Sequence, residues 1–211
     1  MRLKDPFSGL SHAVGALLAI VGLLFLLLES RGDPWRVTSF AIYGATLITL
    51  FVASALYHSL RVSARAEGAL YGFDRAAIYA LIAGTYTPLC LVALRGGWGW
   101  SLFGVVWGLA VGGILLDILT QQRLPHWLQG ALYLAMGWVF LVAVGPLVRA
   151  LTLSQLLWLA VGGLIYTAGA VVCVRHPQPR PGRFHFHDLW HVLVLAASAC
   201  HYVLMVLLAR G

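Results

Sequence analysis

The sequence predicts an all-α integral membrane protein, a single seven-helix transmembrane domain over residues 1–211, on three observations. Hydrophobic residues make up 61% of the chain and charged residues only 10%, against about a quarter charged in soluble domains. Apolar runs close to membrane-crossing length follow one another, and the hydrophilic breaks between them are too short for a second domain. A helix is the one open element that satisfies its own backbone in lipid, so each run is expected to be helical. Cys90, Cys173 and Cys200 lie in or beside apolar runs, which leaves neither a disulfide framework nor a CxxC metal motif.

The first run, residues 12–28, follows Arg2 and Lys4 but ends in LLLESRGD, with no small-x-small cleavage site, so it is expected to be retained as a span. The second covers 37–58 and the third 74–94, where Pro88 in GTYTPL is expected to kink or end the helix. The fourth to seventh cover 98–119, 127–148, 153–174 and 189–209, the last after a loop holding Pro177, Pro179 and Pro181. Trp35, Trp98, Trp100, Trp127, Trp158 and Trp190 stand near span ends, at headgroup level, while Trp107 and Trp138 are mid-span packing residues. The 23 glycines, paired at 96–97, 112–113 and 162–163, read as close helix packing, and no GxGxxG or GxxxxGK pattern supports a nucleotide site.

The net charge of +7 lies in the breaks between runs, which suits an anionic membrane face better than a nucleic acid. Nine basic residues (Arg2, Lys4, Arg61, Arg65, Arg75, Arg123, Arg175, Arg180 and Arg183) fall on the side of the N-terminus, against five (Arg31, Arg36, Arg95, Arg149 and Arg210) on the other. That bias predicts a cytoplasmic N-terminus, an outside C-terminus and a multi-pass protein of the bacterial plasma (inner) membrane.

Ionisable groups inside a bundle are functional candidates. His58 ends the second span, Asp74 starts the third, and His187 and His191 share one face at the start of the seventh, all on the N-terminal side. Three neutral imidazoles plus a water make a catalytic zinc set, whereas closed structural sites fill all four positions with protein ligands. Zinc is the expected metal, with another borderline metal as the alternative; two interfacial histidines are the plainer reading of HxxxH taken alone. Asp74 stands as a fourth ligand, a hydrogen-bond acceptor behind the ligands or a proton-accepting base, or else as a first-turn carboxylate paired to Arg75. Ser54, one turn before His58, either orients a water or oxyanion or bonds back to its own helix. His12 starts the first helix, at the same cavity or simply at the interface. Asp117, ending the fourth, is expected to be solvated. His201, about 15 Å deeper than His191, is expected outside the ligand set, as a buried hydrogen-bonded group or part of a deep pocket. His185 points away from His187 if the helix has begun there and could replace it only if that turn is irregular, and His126 and His176 read as loop residues.

SALYHSL at 54–60, FDRAAIYALIAGTYTP at 73–88, GGLIYTAGAVV at 162–172 and HDLWHVLVLAASACHY at 187–202 resemble the progestin and adipoQ receptor family, most closely its bacterial branch, the hemolysin III family. Asp188 stands where bacterial relatives often have glutamate, and the amino-terminal extension of the animal receptors is absent, so hormone binding does not carry over. The resemblance implies a zinc ion near the cytoplasmic leaflet held at His58, His187 and His191, with Asp74 and Ser54 nearby. It also implies kinship with alkaline ceramidases, membrane hydrolases that cut lipid amides.

The function expected from residues and resemblance together is a zinc-dependent membrane hydrolase of a lipid amide or related acyl lipid, linked to membrane-lipid homeostasis. Asp74 and Ser54 are its catalytic candidates, Zn2+ its cofactor and membrane lipids its partners. The alternatives are a non-enzymatic sensor with a structural zinc joining the second and seventh spans and, more remotely, a pore, for which polar groups at several depths are expected.

Overall fold

The structure, a computed structural model, describes residues 3–176 and 184–211; Arg2, Arg180, Arg183 and the loop prolines Pro177, Pro179 and Pro181 lie outside them. Pro6 and Pro34 open helices α1 (Pro6–Glu29) and α2 (Pro34–Ser59), at positions where the missing N–H has no intrahelical partner to lose. Asp33 caps α2, accepting from the Trp35 and Arg36 amides at 2.9 and 3.2 Å. Ser63 caps α3 (Ala64–Pro88), and α4 follows over Gly97–Leu119. The chain continues through α5 (His126–Gly137), α6 (Val144–Ala150), α7 (Leu153–Arg175) and α8 (Phe186–Arg210). With α5 and α6 counted as one crossing, seven stretches are long and apolar enough to span a membrane among the described residues. Leu17, Leu18, Val21 and Leu24 on α1 and Ile118 and Leu119 on α4 point outward, as a lipid-facing surface requires.

Two elements differ from the sequence expectation. The third helix begins at Ala64 rather than near 74, because its first turns are polar but well capped: Ser63 accepts from the Ala66 amide, and Glu67 pairs with Lys4 at 2.7 Å. Asp74 is therefore well inside the helix and is no first-turn carboxylate. The fifth span is broken, with a short 3-10 segment Val139–Ala143 between α5 and α6. Pro146 explains the break, since it lacks an N–H for a continuous ladder and fits the first turn of a new helix.

Pro88 ends the regular part of α3, and the chain widens into a π-helical turn, Leu89–Ala93, closed by the Leu94 amide on the Leu89 carbonyl at 2.9 Å. At the opening in the fifth span, the Tyr86 hydroxyl on α3 donates to the Gly137 carbonyl at 2.6 Å and accepts from the Phe140 amide at 3.0 Å. One side chain thus satisfies two backbone groups released by the break.

Packing follows chain order in part. α1 lies against α2 and α8, α7 against α8 and α5, and α3 touches α2, α4, α5 and α8. A buried polar knot fixes α3 to α4 and α5. The Arg75 guanidinium donates to both oxygens of Asp117, at 3.1 and 2.8 Å, and Gln129 donates to Asp117 at 3.2 Å. Asp117 is thus buried in an ion pair instead of solvated, and Arg75 pairs with it rather than with its neighbour Asp74. Buried charges persist in this way when paired and hydrogen-bonded.

Tyr86→Phe should leave the Gly137 carbonyl and Phe140 amide without their partner inside the bundle and cost about 1–3 kcal/mol. Thermal unfolding in detergent tests this, and an unchanged midpoint would mean that the broken span is supported some other way.

Candidate metal centre

The site is built where the N-terminal ends of α1, α3 and α8 meet the C-terminal end of α2. His58 in the last turn of α2 and His187 and His191 in the first turns of α8 bring one ring nitrogen each to within 4.8 Å of one another. The three side chains are sealed from bulk water, with exposures of 2%, 8% and 2%. α8 begins at Phe186 with His185 as its cap residue, so the helix has started in time to put His187 and His191 on one face.

The ring contacts show which nitrogens converge. His58 Nδ1 lies 3.1 Å from Asp5 Oδ2, which leaves Nε2 for the cluster. His191 Nε2 and His187 Nε2 lie 3.2 Å apart, while His191 Nδ1 faces the His12 ring at 3.1–3.3 Å. Two nitrogens bound at about 2.0–2.1 Å to one tetrahedral ion stand roughly 3.3 Å apart, so the His187–His191 pair already has the spacing of two ligands, and the triad with His58 could coordinate a metal ion. Burial alone would raise the Asp5 pKa, but the hydrogen bond to His58 and the His58, Lys4 and His187 charges outweigh it, and the carboxyl lies below its ordinary value.

Below the triad a cavity of about 220 Å³ runs between α2, α3, α5, α7 and α8. The triad, His12, Ser54 and Asp74 line one end, and Leu50, Ile78, Leu81, Ile82, Phe140 and Val194 continue it as an apolar chamber. Ser54 is a side-chain hydrogen-bond partner of Asp74. His201 lines the deep end, with Nε2 3.4 Å from the Leu159 carbonyl and the ring 5.5 Å from Tyr166. It is both hydrogen-bonded and part of the pocket, and it stands apart from the triad.

Other expectations resolve with these contacts. His12 is buried in the second turn of α1 and faces the cavity, so it is no interfacial group. His126 is the first residue of α5 and also lines the cavity, rather than standing in a loop; His176 caps the end of α7 and stacks on Phe186 with ring centroids 4.3 Å apart. Mid-span Trp107 and Trp138 pack inside and donate to Thr87 and Thr167 at 3.1 and 3.0 Å. Sequence reasoning missed Asp5, Ser8 and the role of Asp188. Ser8 donates to Asp188 at 2.8 Å, and Asp188 accepts from the His185 amide at 2.9 Å, fixing the start of α8.

Comparison with known proteins agrees with this architecture. A family profile described as Haemolysin-III related matches residues 2–202. The Hemolysin-3 homolog of Bacillus subtilis (strain 168) is 36% identical over 94% of this chain and 91% of its own length. Hemolysin-3 of Bacillus cereus is 36% identical over 93% of this chain and 87% of its own. The heptahelical transmembrane protein ADIPOR2 of Oryza sativa subsp. japonica is 34% identical over 74% of this chain and 75% of its own. The chain is therefore a multi-pass membrane protein that belongs to the hemolysin III family, within the progestin and adipoQ receptor superfamily.

Proposed function

We propose that this protein is a zinc-dependent membrane hydrolase acting on a lipid amide or related acyl lipid, in the upkeep of membrane lipids. One observation carries the reading: the histidine triad, a carboxyl and a hydroxyl share one end of a cavity whose remainder is largely apolar. The basic residues concentrated at that end place it, in this reading, at the cytoplasmic leaflet. The choice of an amide rests on the kinship with alkaline ceramidases that the family resemblance implies.

His58, His187 and His191 would hold the zinc, and the bound ion would supply Lewis acidity toward a carbonyl and an acidified water. Asp74 takes up a proton at its carboxylate from the attacking water and returns it to the leaving group. Ser54 donates to that carboxylate and fixes its direction, and once Asp74 holds the water's proton the hydroxyl turns to the developing oxyanion. Leu50, Ile78, Leu81 and Ile82 receive the acyl chain and keep water from the rest of the chamber.

A second reading has a specific observation behind it. α2 and α8 each pack on α1, and the triad joins the ends of these two helices directly, as a structural staple in a non-enzymatic sensor would. No corresponding observation favours a pore, because most of the cavity's ionisable groups stand at one end.

Detergent-purified protein should contain about one zinc per chain by elemental analysis, and His191→Ala should contain none. Carefully purified parent protein without metal would remove the basis of both readings. Asp74→Asn should retain zinc yet lose about 10²- to 10⁴-fold in the hydrolysis of a ceramide-like lipid amide. If the parent holds zinc, releases no fatty acid from amide or ester lipids, and unfolds on chelation, the structural reading replaces the enzymatic one.

A further inference from the structure

The first two turns of α1 and the cap residue ahead of them carry polar groups that the chemistry above does not use. Asp5, Ser8 and His12 follow at intervals of three and four residues, which puts them on one side of the helix start. Each meets a different part of the triad's support. Asp5 contacts His58 Nδ1 at 3.1 Å; Ser8 donates to Asp188, beside His187, at 2.8 Å; and His12 faces His191 Nδ1 at 3.1–3.3 Å. All three are buried. The rest of α1 is apolar, with Leu17, Leu18, Val21 and Leu24 exposed.

Backbone contacts hold that face in register. The Asp5 amide donates to the His58 carbonyl at 2.7 Å and the Lys4 amide to the Ser59 carbonyl at 3.3 Å, pinning the chain ahead of α1 to the end of α2. Glycines bring the helices together: a Cβ at Gly9 would collide with the Ser59 hydroxyl of α2, and one at Gly15 would stand only 2.7 Å from Leu195 of α8 and 3.1 Å from Phe51 of α2. α1 is thus wedged between the two helices that bear the triad.

A histidine that ligates a metal through one nitrogen gains in orientation and basicity when its other N–H is held by an acceptor. His58 has a carboxylate in that position. For His191 the partner is an imidazole: its Nδ1 lies 3.1 Å from His12 Nε2 and 3.3 Å from His12 Nδ1, and His12 Nε2 lies 3.4 Å from the His191 carbonyl, so a His12 tautomer protonated on Nε2 can donate to that carbonyl while its Nδ1 accepts from His191. We infer that Asp5 and His12 are positioning residues for the metal centre, with Ser8 holding the start of α8, so that α1 supplies the orienting shell for ligands carried by α2 and α8. The inference rests on the triad's being a zinc site and goes beyond it in assigning the shell to a helix that contributes no ligand.

The test is zinc affinity measured by chelator competition on the full-length protein in detergent, with thermal unfolding followed on the same samples. Asp5→Asn and His12→Phe are each expected to bind zinc about 10- to 100-fold more weakly while remaining folded. His12→Gln, which can still accept from His191, should recover most of the affinity, and Ser11→Ala, on another side of α1, should match the parent. In cobalt-loaded protein, His12→Phe should also shift the visible absorption bands, a change that packing alone would not produce. Folded Asp5→Asn and His12→Phe with parental zinc affinity would overturn the inference and leave the zinc site standing. A parent protein that binds no zinc would remove the site itself.

Discussion

Hydrocarbon provides no hydrogen bonds, so a polar group below headgroup level must be satisfied by the chain itself. The helices answer this for the backbone, and where the fifth span opens, Tyr86 supplies both a donor and an acceptor across the break. Arg75 and Asp117 answer it for side-chain charge by pairing with each other and with Gln129. The triad answers it in a third way. Its outer nitrogens at His58 and His191 are engaged by Asp5 and His12, and its inner nitrogens lie within 4.8 Å of one another, an arrangement that could hold a cation.

The same constraint explains where the polar residues lie. The knot of Arg75, Asp117 and Gln129 and the triad with Asp74 occupy the same end of the bundle, yet they serve different helices. The knot holds α3 to α4 and α5, and so steadies the helix that presents Asp74. α1 holds α2 and α8, and so steadies the histidines. The carboxyl and the imidazoles are supported by two networks, which meet at the cavity and are also linked by the Lys4–Glu67 pair.

Much of this could be read from the sequence because a membrane reduces topology to parity. Once the crossings are counted, His58, Asp74, His187 and His191 must share one side, and HxxxH gives the facing pair without further information. Local reading failed where the partner was remote or the signal was not apolar. Asp74 and Arg75 are adjacent, which suggested a pair, but consecutive helical residues do not face each other, and Arg75 turns to Asp117. The polar first turns of α3 were hidden by reading only apolar runs, and Pro146 inside the fifth run carried a break that hydropathy does not register. Asp5 and Ser8 precede the apolar part of α1 and read as a polar lead-in, although their spacing to His12 already described one helical face.

The position of the triad also bears on how its two readings differ. A group that binds only the assembled arrangement stabilises the fold whatever its chemistry, and a junction of α2 and α8 wedged by α1 is such an arrangement. Stabilisation by metal is therefore common to a staple and to a catalyst. The distinguishing feature is Asp74. A staple would use a carboxyl only as a fourth ligand, yet the clustered ligand atoms are those of the three imidazoles, and it gives no reason for a carboxyl bonded to a serine hydroxyl to stand beside them at one end of an apolar chamber. A hydrolase needs both, because the water it uses must lose a proton and the carbonyl it attacks must find a donor. On that asymmetry the catalytic reading accounts for more of the residues placed at this end of the bundle.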